Sequence, residues 1–225
     1  MSTPSPDSAT PGVVTSLYLS TKTLHAEAER TGIIRDMLRG DVSRAGYVML
    51  MRNLWPAYAA LEQGLDRHRT TPALQPLAAY RLDRAPAIAA DLDALAGSDW
   101  RDRWPLLPEG AAYADRIATA AECDGARLIA HAYTRYLGDL SGGQILRRLL
   151  ARSLALRDDE LSVYDFKSFA DPAALKTDYR NALEAAGRLA ADPAAIVAEG
   201  ATAFSLNIAL SCAVRDRVAR TDAAE

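Results

Sequence analysis

Tyr18, Lys22, His25 and Glu29 fall at i, i+4, i+7 and i+11, so a helix through them carries a phenol, an ammonium, an imidazole and a carboxylate along one stripe. Imidazole is the commonest protein ligand for iron and haem, and a carboxylate one turn away can accept the other ring N–H and fix the tautomer. A lone histidine on a helix is more often exposed or satisfied within the protein, so this reading needs a partner segment. HAYTRYLGDLSGGQIL, from His131 to Leu146, supplies one. At helical period Arg135, Gly138, Asp139 and Gly142 share a face that carries almost no side-chain bulk. Each glycine inside a helix costs about 1 kcal/mol relative to alanine, so Gly138, Gly142 and Gly143 together cost about 3 kcal/mol. A flat ligand lying against the backbone would account for that cost, and a loop between two helices is the alternative. His131, four residues before Arg135, is the rival ligand to His25. His68, in a polar, loop-like setting, is the weakest candidate.

Further along, Lys176 and Arg180 are i, i+4 neighbours with Tyr179 beside them, a spacing that can hold a carboxylate-bearing ligand by charge-assisted hydrogen bonds. A solvated basic face is the commoner meaning of such a pair. Phe204 and Asn207 share one face at i, i+3. Other chemistries fail for want of parts. Leu140-Ser141-Gly142-Gly143-Gln144 coincides with the signature string of ATP-binding-cassette ATPases, but no G-x-x-x-x-G-K-[ST] loop accompanies it. Neither paired Glu-x-x-His motifs for a di-iron bundle nor an H-E-x-x-H zinc helix occurs.

The elements that must position these groups read as helices throughout, because Ala, Leu and Arg dominate and no run of alternating β-branched residues appears. The pattern predicts helices from Val13 to Arg30, from Ser43 (an N-cap) to His68, and from Ala85 to Ala96. A fourth begins around Gly110, and the glycine-bearing helix spans Asp124 to Ser153 with a bend at its glycines. Asp171-Pro172 and Asp192-Pro193 each read as an N-cap followed by proline at the first helical position, opening helices that reach Leu189 and Ala219. Gly32, Gly40, Thr71-Pro72 and WRDRWPLLPEG punctuate.

With 225 residues, 49% hydrophobic, the chain supports one sizeable core and no inter-domain linker: one all-α domain over 13–220 is expected, with a disordered polar tail over 1–12 and a short tail over 221–225. Basic and acidic residues nearly balance, 26 against 29, so no global positive field invites nucleic acid. Cys123 and Cys212 form no C-x-x-C, which fits a reducing cytoplasm, and read as buried small hydrophobes. The start has no signal-peptide pattern, and the uncharged stretch Ala201 to Val214 is shorter than the roughly 20 residues of a bilayer span, so a soluble protein without a membrane anchor is expected.

Taken together, LHAEAER around His25, LWPAYAALE around Tyr58, HAYTRYLGDLSGGQ around Asp139, KTDYR from Lys176 to Arg180 and TAFSLNIAL from Thr202 to Leu210 resemble the soluble bacterial, biliverdin-producing haem oxygenases, from about Ser16 to about Asn207. The resemblance implies a single all-α domain with haem between a proximal and a distal helix. It implies His25 as the proximal iron ligand with Glu29 on its outer nitrogen, and Gly138 and Gly142 lying against the porphyrin. Asp139, with Arg135 and Tyr58, would hold ordered water above the iron. Lys22, Tyr133, Thr134, Lys176 and Arg180 would bind the haem and its propionates, while Phe204 and Asn207 line the pocket. Where many relatives carry a lysine one turn before Lys22, this chain has Tyr18.

The reaction so implied uses haem b as cofactor and substrate and O2 as co-substrate, opening the ring at the α-meso carbon to give biliverdin, CO and ferrous iron. Neutral imidazole ligation suits this outcome, since thiolate ligation favours O–O cleavage. Electrons must come from an external donor such as a ferredoxin or a flavoprotein reductase, because no G-x-G-x-x-G follows a strand here. Arg35, Arg39 and Arg44 could dock an acidic donor, although a solvated face is the commoner meaning. The alternative is a non-catalytic haem-binding or haem-trafficking protein on the same fold. A carrier, however, has no use for an acid above an open coordination position.

Overall fold

The helix formers of the sequence do build helices: a computed structural model describes residues 11–166 and 171–223, and among them there is no strand. Of the expected tails, residues 1–10 and 224–225 lie outside the described residues. The α-helices are α1 (Val13–Ala28), α2 (Gly32–Arg39), α3 (Arg44–Arg67), α4 (Ala85–Ala96), α5 (Trp100–Arg103), α6 (Pro108–Ala120), α7 (Leu128–Ala132), α8 (Gln144–Ser153), α9 (Pro172–Leu189) and α10 (Pro193–Asp222).

The scaffold centres on α3, which packs against α4, α6 and α10. Its buried positions Tyr47, Leu50, Leu54, Ala57 and Leu61 recur at three- and four-residue steps, so one apolar stripe faces the core. Burial of each large side chain along it contributes about 2 kcal/mol. The Ser43 hydroxyl starts the helix by accepting from the Gly46 N–H at 3.1 Å, as its position at the N-cap predicts. Asp171 and Asp192 cap α9 and α10 in the same way, accepting from Ala173 at 2.8 Å and from Ala195 at 3.0 Å.

Helix α1 runs along α10 and against α9. Its N-terminus carries no capping side chain of its own. Instead the Glu184 carboxylate of α9 accepts from the Val13 and Val14 N–H groups at 3.1 and 3.0 Å, which satisfies two orphan donors and places a negative charge at the positive end of the helix dipole. The position of His25 is thereby tied to the helix that carries Lys176 and Arg180.

The predicted boundaries hold for α4, for α9 with its Asp171 cap and Leu189 end, and for the ends of α3 to within a residue, and differ elsewhere for physical reasons. The first helix stops at Ala28, and α2 follows as a separate element that the glycine punctuation had concealed. Gly40 closes α2 at φ 79°, a left-handed cap that only glycine adopts cheaply. At Gly32, φ 56°, an added Cβ would collide with the backbone of Ser211, so α2 can approach α10 only through a glycine.

The glycine-bearing helix begins at Leu128 and is neither one regular α-helix nor a loop. Between α7 and α8 the backbone widens into two successive π-helical turns, Tyr133–Leu137 and Asp139–Gly143, with Gly138 between them at φ −62° and ψ −49°. π-Turns are rare and concentrate at functional sites.

Helix α10 is long and apolar enough to cross a bilayer by length and composition alone. In this fold it packs on α1, α2, α3, α6 and α7, which buries part of that apolar stretch. The cysteines depart from expectation: Cys123 is exposed in a left-handed turn at φ 60°, Cys212 is half-buried, and both are free thiols.

Candidate functional site

Helix α1 and the π-helical segment face each other across a cavity of about 420 Å³, within the range of small-molecule and cofactor sites. His25, Ala28 and Glu29 line it from α1, Ile34 from α2, and Phe204 and Asn207 from α10. The opposite wall is Tyr133, Thr134, Arg135, Leu137, Gly138, Asp139, Ser141, Gly142 and Gly143, with Leu146 beyond. The two stripes picked out by spacing therefore meet.

His25 is 59% exposed, its Nδ1 lies 3.6 Å from Glu29 Oε1, and its ring packs against Phe204 with centroids 5.8 Å apart. The Nδ1 edge is turned toward the carboxylate, which leaves Nε2 as the nitrogen for a ligand in the cavity. That separation exceeds ordinary hydrogen-bond length, so the carboxylate stands beside the Nδ1 edge without a formed bond.

The three glycines divide into two kinds. A Cβ built at Gly138 or Gly142 meets nothing within 4 Å, whereas one at Gly143 would press on the Tyr164 ring at 3.0 Å. Protein packing therefore explains Gly143 and leaves Gly138 and Gly142 unexplained, except by something that fills the cavity. A side chain at either position would occupy that space.

Asp139 is half-buried on the same wall. The Tyr58 hydroxyl donates to its Oδ2 at 2.8 Å, and Tyr58 itself is buried behind the wall. Burial lifts the Asp139 carboxyl to about 6, against the opposing pull of the Arg135 guanidinium and the Tyr58 hydrogen bond. Arg135 lies over the Tyr58 ring at 5.6 Å and over the Tyr113 ring at 6.0 Å, and its buried Nε finds no partner among the described residues. An acid, an unsatisfied cationic donor and a phenol thus converge on one point, a setting in which ordered water is held and protons are delivered. A chamber of about 60 Å³ behind them, lined in part by Tyr58, Arg135, Asp139 and Tyr164, has room for such water.

The basic candidates stand further out. Lys22 on α1 and Lys176 and Arg180 on α9 are all exposed and do not line the cavity wall. Tyr133 lies on the wall, within electrostatic reach of Arg180 and Tyr18. Tyr18 is 58% exposed.

The rival histidines are accounted for elsewhere. His131 is fully buried outside the cavity, with Nε2 2.9 Å from Glu199 Oε1, and Arg116 holds the same carboxylate from the other side. His68 is buried too, rather than set in a polar loop, with Nε2 2.7 Å from the Ala121 carbonyl. Sequence reasoning missed the apolar lining residues Ile34, Leu137 and Leu146. The alternation of Ile33-Ile34 and Met37-Leu38 between two glycines was the available sign of α2.

Residues 12–213 match the family described as Heme oxygenase. Heme oxygenase 1 of Nostoc sp. is 36% identical over 196 residues, covering 85% of this chain and 81% of that protein. Heme oxygenase 1 of Homo sapiens is 33% identical over 213 residues, covering 93% and 74%. Among solved structures, heme oxygenase-1 of Synechocystis sp. in complex with heme superposes with a TM-score of 0.86 at 31% identity, covering 95% of this chain and 96% of that one. Heme oxygenase from Leptospira interrogans gives 0.83 at 30% identity, covering 90% and 99%.

Proposed function

The chain belongs to the haem oxygenase family, and from that premise we propose how its own residues carry out the oxidative cleavage of haem to biliverdin. Bound haem supplies the iron at which O2 is activated and is itself the molecule consumed. The observation that carries the residue assignment is the pair of glycines, Gly138 and Gly142, whose missing side chains leave open space in the cavity that His25 also lines. A planar macrocycle fits a cavity with an imidazole on one wall and bare backbone on the other.

In this reading His25 would hold the iron, with Glu29 beside its Nδ1 edge to keep the ring oriented. Gly138 and Gly142, lacking side chains, would let the backbone of this wall lie against a flat ligand and exclude bulk water, which is where a preference for one ring edge, the α-meso position, would arise. Asp139, held by Tyr58 and with Arg135 beside it, would hold a water as proton donor in the cavity without itself being a ligand. Lys22, Tyr133, Thr134, Lys176 and Arg180 hold the haem and its propionates at the opening, and Phe204 and Asn207 pack the proximal side.

Electrons come from an external donor of the ferredoxin or flavoprotein type. Two of the three arginines considered for its docking are already paired within the chain, Arg35 with Asp36 at 2.8 Å and Arg44 with Glu160 at 2.6 Å, so only Arg39 keeps the role suggested for the group. A cytoplasmic setting is supported by the two free thiols. The test is to add haemin, a reductant and air and to follow the Soret band. Its replacement by a bilin spectrum in the wild type, and persistence of the band in Asp139→Ala, is expected. A stable Soret band in the wild type would instead mark a haem carrier.

A further inference from the structure

Behind the cavity, Tyr58, Tyr136, Tyr179 and Tyr80 form an unbroken line of rings contributed by separate parts of the fold. Tyr58 and Tyr136 have centroids 6.2 Å apart, Tyr136 and Tyr179 6.1 Å, and Tyr179 and Tyr80 5.3 Å. The first three are buried at 2%, 2% and 1% exposure, whereas Tyr80 is half-buried at the surface. One end of the line is hydrogen-bonded to Asp139 on the cavity wall, and the other opens to solvent.

Tyrosine is readily oxidised by one electron when a base can take its proton, and electron transfer between phenols falls steeply with distance, so rings in near contact pass an electron vacancy along. We propose that these four rings carry oxidising equivalents out of the haem cavity to Tyr80 when hydrogen peroxide reacts with the bound haem in place of productive turnover. The inference rests on the haem placement given above.

Each peroxide molecule takes up two electrons and two protons and leaves as two waters; the electrons are drawn singly from Tyr58, and the two protons come from solvent, matched by the two that Tyr80 releases to solvent as it is oxidised. Each withdrawal leaves a phenoxyl radical, and the phenolic proton passes to the Asp139 carboxylate across the 2.8 Å hydrogen bond. Tyr58 regains its electron from Tyr136 and its proton from Asp139. A carboxylate serves the next step too: Glu62 lines the same small cavity as Tyr136, Tyr179 and Tyr80, and burial brings its carboxyl to about 7, so it can accept and return a proton near neutrality. From Tyr179 the vacancy reaches Tyr80, which a one-electron reductant in solution, such as ascorbate or a thiol, restores with a proton. The gain is protection: radicals end at a renewable surface phenol rather than on Tyr58, Arg135 and the haem edge.

The test treats haem-loaded protein with hydrogen peroxide, without an electron donor, in the presence of a nitroso spin trap, and locates the adduct by peptide mass spectrometry alongside the tyrosyl signal in electron paramagnetic resonance. Adduct on Tyr80 is expected in the wild type. In Tyr136→Phe, which keeps the ring packing but has no phenolic proton, adduct on Tyr80 should fall at least fivefold while adduct on Tyr58 and oxidation of cavity residues rise. In Tyr80→Phe the adduct should retreat to Tyr179. Single-turnover biliverdin yield and thermal unfolding should be unchanged in both variants, and a merely structural role would not move the adduct. Tyr80 labelled equally in wild type and Tyr136→Phe, or no tyrosine labelled at all, would overturn the proposal. Failure of haemin to give a Soret band in the wild type would instead overturn the haem placement beneath it.

Discussion

His131 Nε2 and Glu199 Oε1 stand 2.9 Å apart with both side chains sealed from solvent, although 68 positions separate them in the chain. Arg116 closes the group by donating to the same carboxylate. The arrangement ties α7, which leads into the glycine segment, to α10, which carries Phe204 and Asn207. It also removes His131 from contention as an iron ligand, because Nε2 is engaged and the ring sits outside the cavity.

Loss of one partner from a buried pair leaves an uncompensated polar or charged group, so Glu199→Gln should lower unfolding free energy by about 3 kcal/mol in denaturant titration. The pH dependence gives a sharper check. Burial alone would raise the Glu199 carboxyl, but the hydrogen bonds from His131 and Arg116 outweigh it and hold the group at about 2, below its ordinary value of 4.5. The contribution of a depressed carboxyl is complete above the unfolded value and is lost as pH falls toward the folded one. The stability gap between wild type and Glu199→Gln should therefore narrow between about pH 4.5 and 2. A gap that stays constant over that interval would show that the carboxylate charge is not what holds the group together.

His25→Ala should abolish the absorption and resonance signatures of an imidazole-ligated haem iron and reduce biliverdin formation at least a hundredfold, with imidazole in solution restoring the spectrum. The packing of His25 against Phe204 is peripheral and the side chain is more than half exposed, so apoprotein stability should change by less than about 1 kcal/mol. Wild-type spectra in this variant would return attention to the other histidines.

Asp139 carries a carboxyl raised by burial to about 6, so the carboxylate form, the one proposed to order water, is populated as pH rises through that value. Single-turnover ring opening should rise with pH across the same range, and Asp139→Asn should remove this limb. Asp139→Ala should divert reaction with peroxide from ring opening toward oxidation of added phenols. Tyr58→Phe, which deletes one hydrogen bond worth about 1 to 2 kcal/mol, should lower yield severalfold rather than abolish it. Unchanged yield in Asp139→Ala would remove the acid from the mechanism.

Much of this was legible in the chain because helical periodicity maps directly onto faces. The His25–Glu29 stripe and the Gly138–Gly142 stripe needed only the helix repeat to be placed, and both line one cavity. Three things were hidden. The π-turns leave no mark in apolar spacing, since they arise where the backbone yields to tertiary packing. The split of α1 and α2 at Gly32 depends on contact with Ser211, far away in the chain. Pairings such as His131 with Glu199, or Arg84 with the carbonyls of Val163 and Asp165, join residues that no local pattern relates.

Lys176 and Arg180 line no part of the cavity wall, so the propionate role proposed for them is open to a direct test. Replacing both by Glu should weaken haemin binding at least tenfold in absorption titrations or change the biliverdin isomer formed, because one propionate would meet like charge. Tyr18→Lys, adding a cation one turn before Lys22, should act in the opposite direction and tighten binding. If neither affinity nor isomer changes in the double Glu variant, the propionates are held by other groups.

Gly138 and Gly142 separate folding from function, because alanine at either site meets no protein atom within 4 Å and removes the entropic cost of a helical glycine. The apoprotein of Gly138→Ala or Gly142→Ala should therefore be as stable as the wild type or more stable, by up to about 1 kcal/mol. Haem binding should respond in the opposite sense, since the new methyl group projects into the space assigned to the ring face. Haemin affinity should fall at least tenfold, with a shift in the biliverdin isomer for whatever turnover remains. Gly143→Ala provides the contrast: its methyl presses on Tyr164, so it should destabilise the apoprotein by about 1 to 3 kcal/mol while leaving the cavity wall bare. Only if the open face at 138 and 142 is shaped for a ligand should the two kinds of glycine divide in this way. Equal loss of apoprotein stability at all three would show that the glycines serve the fold alone.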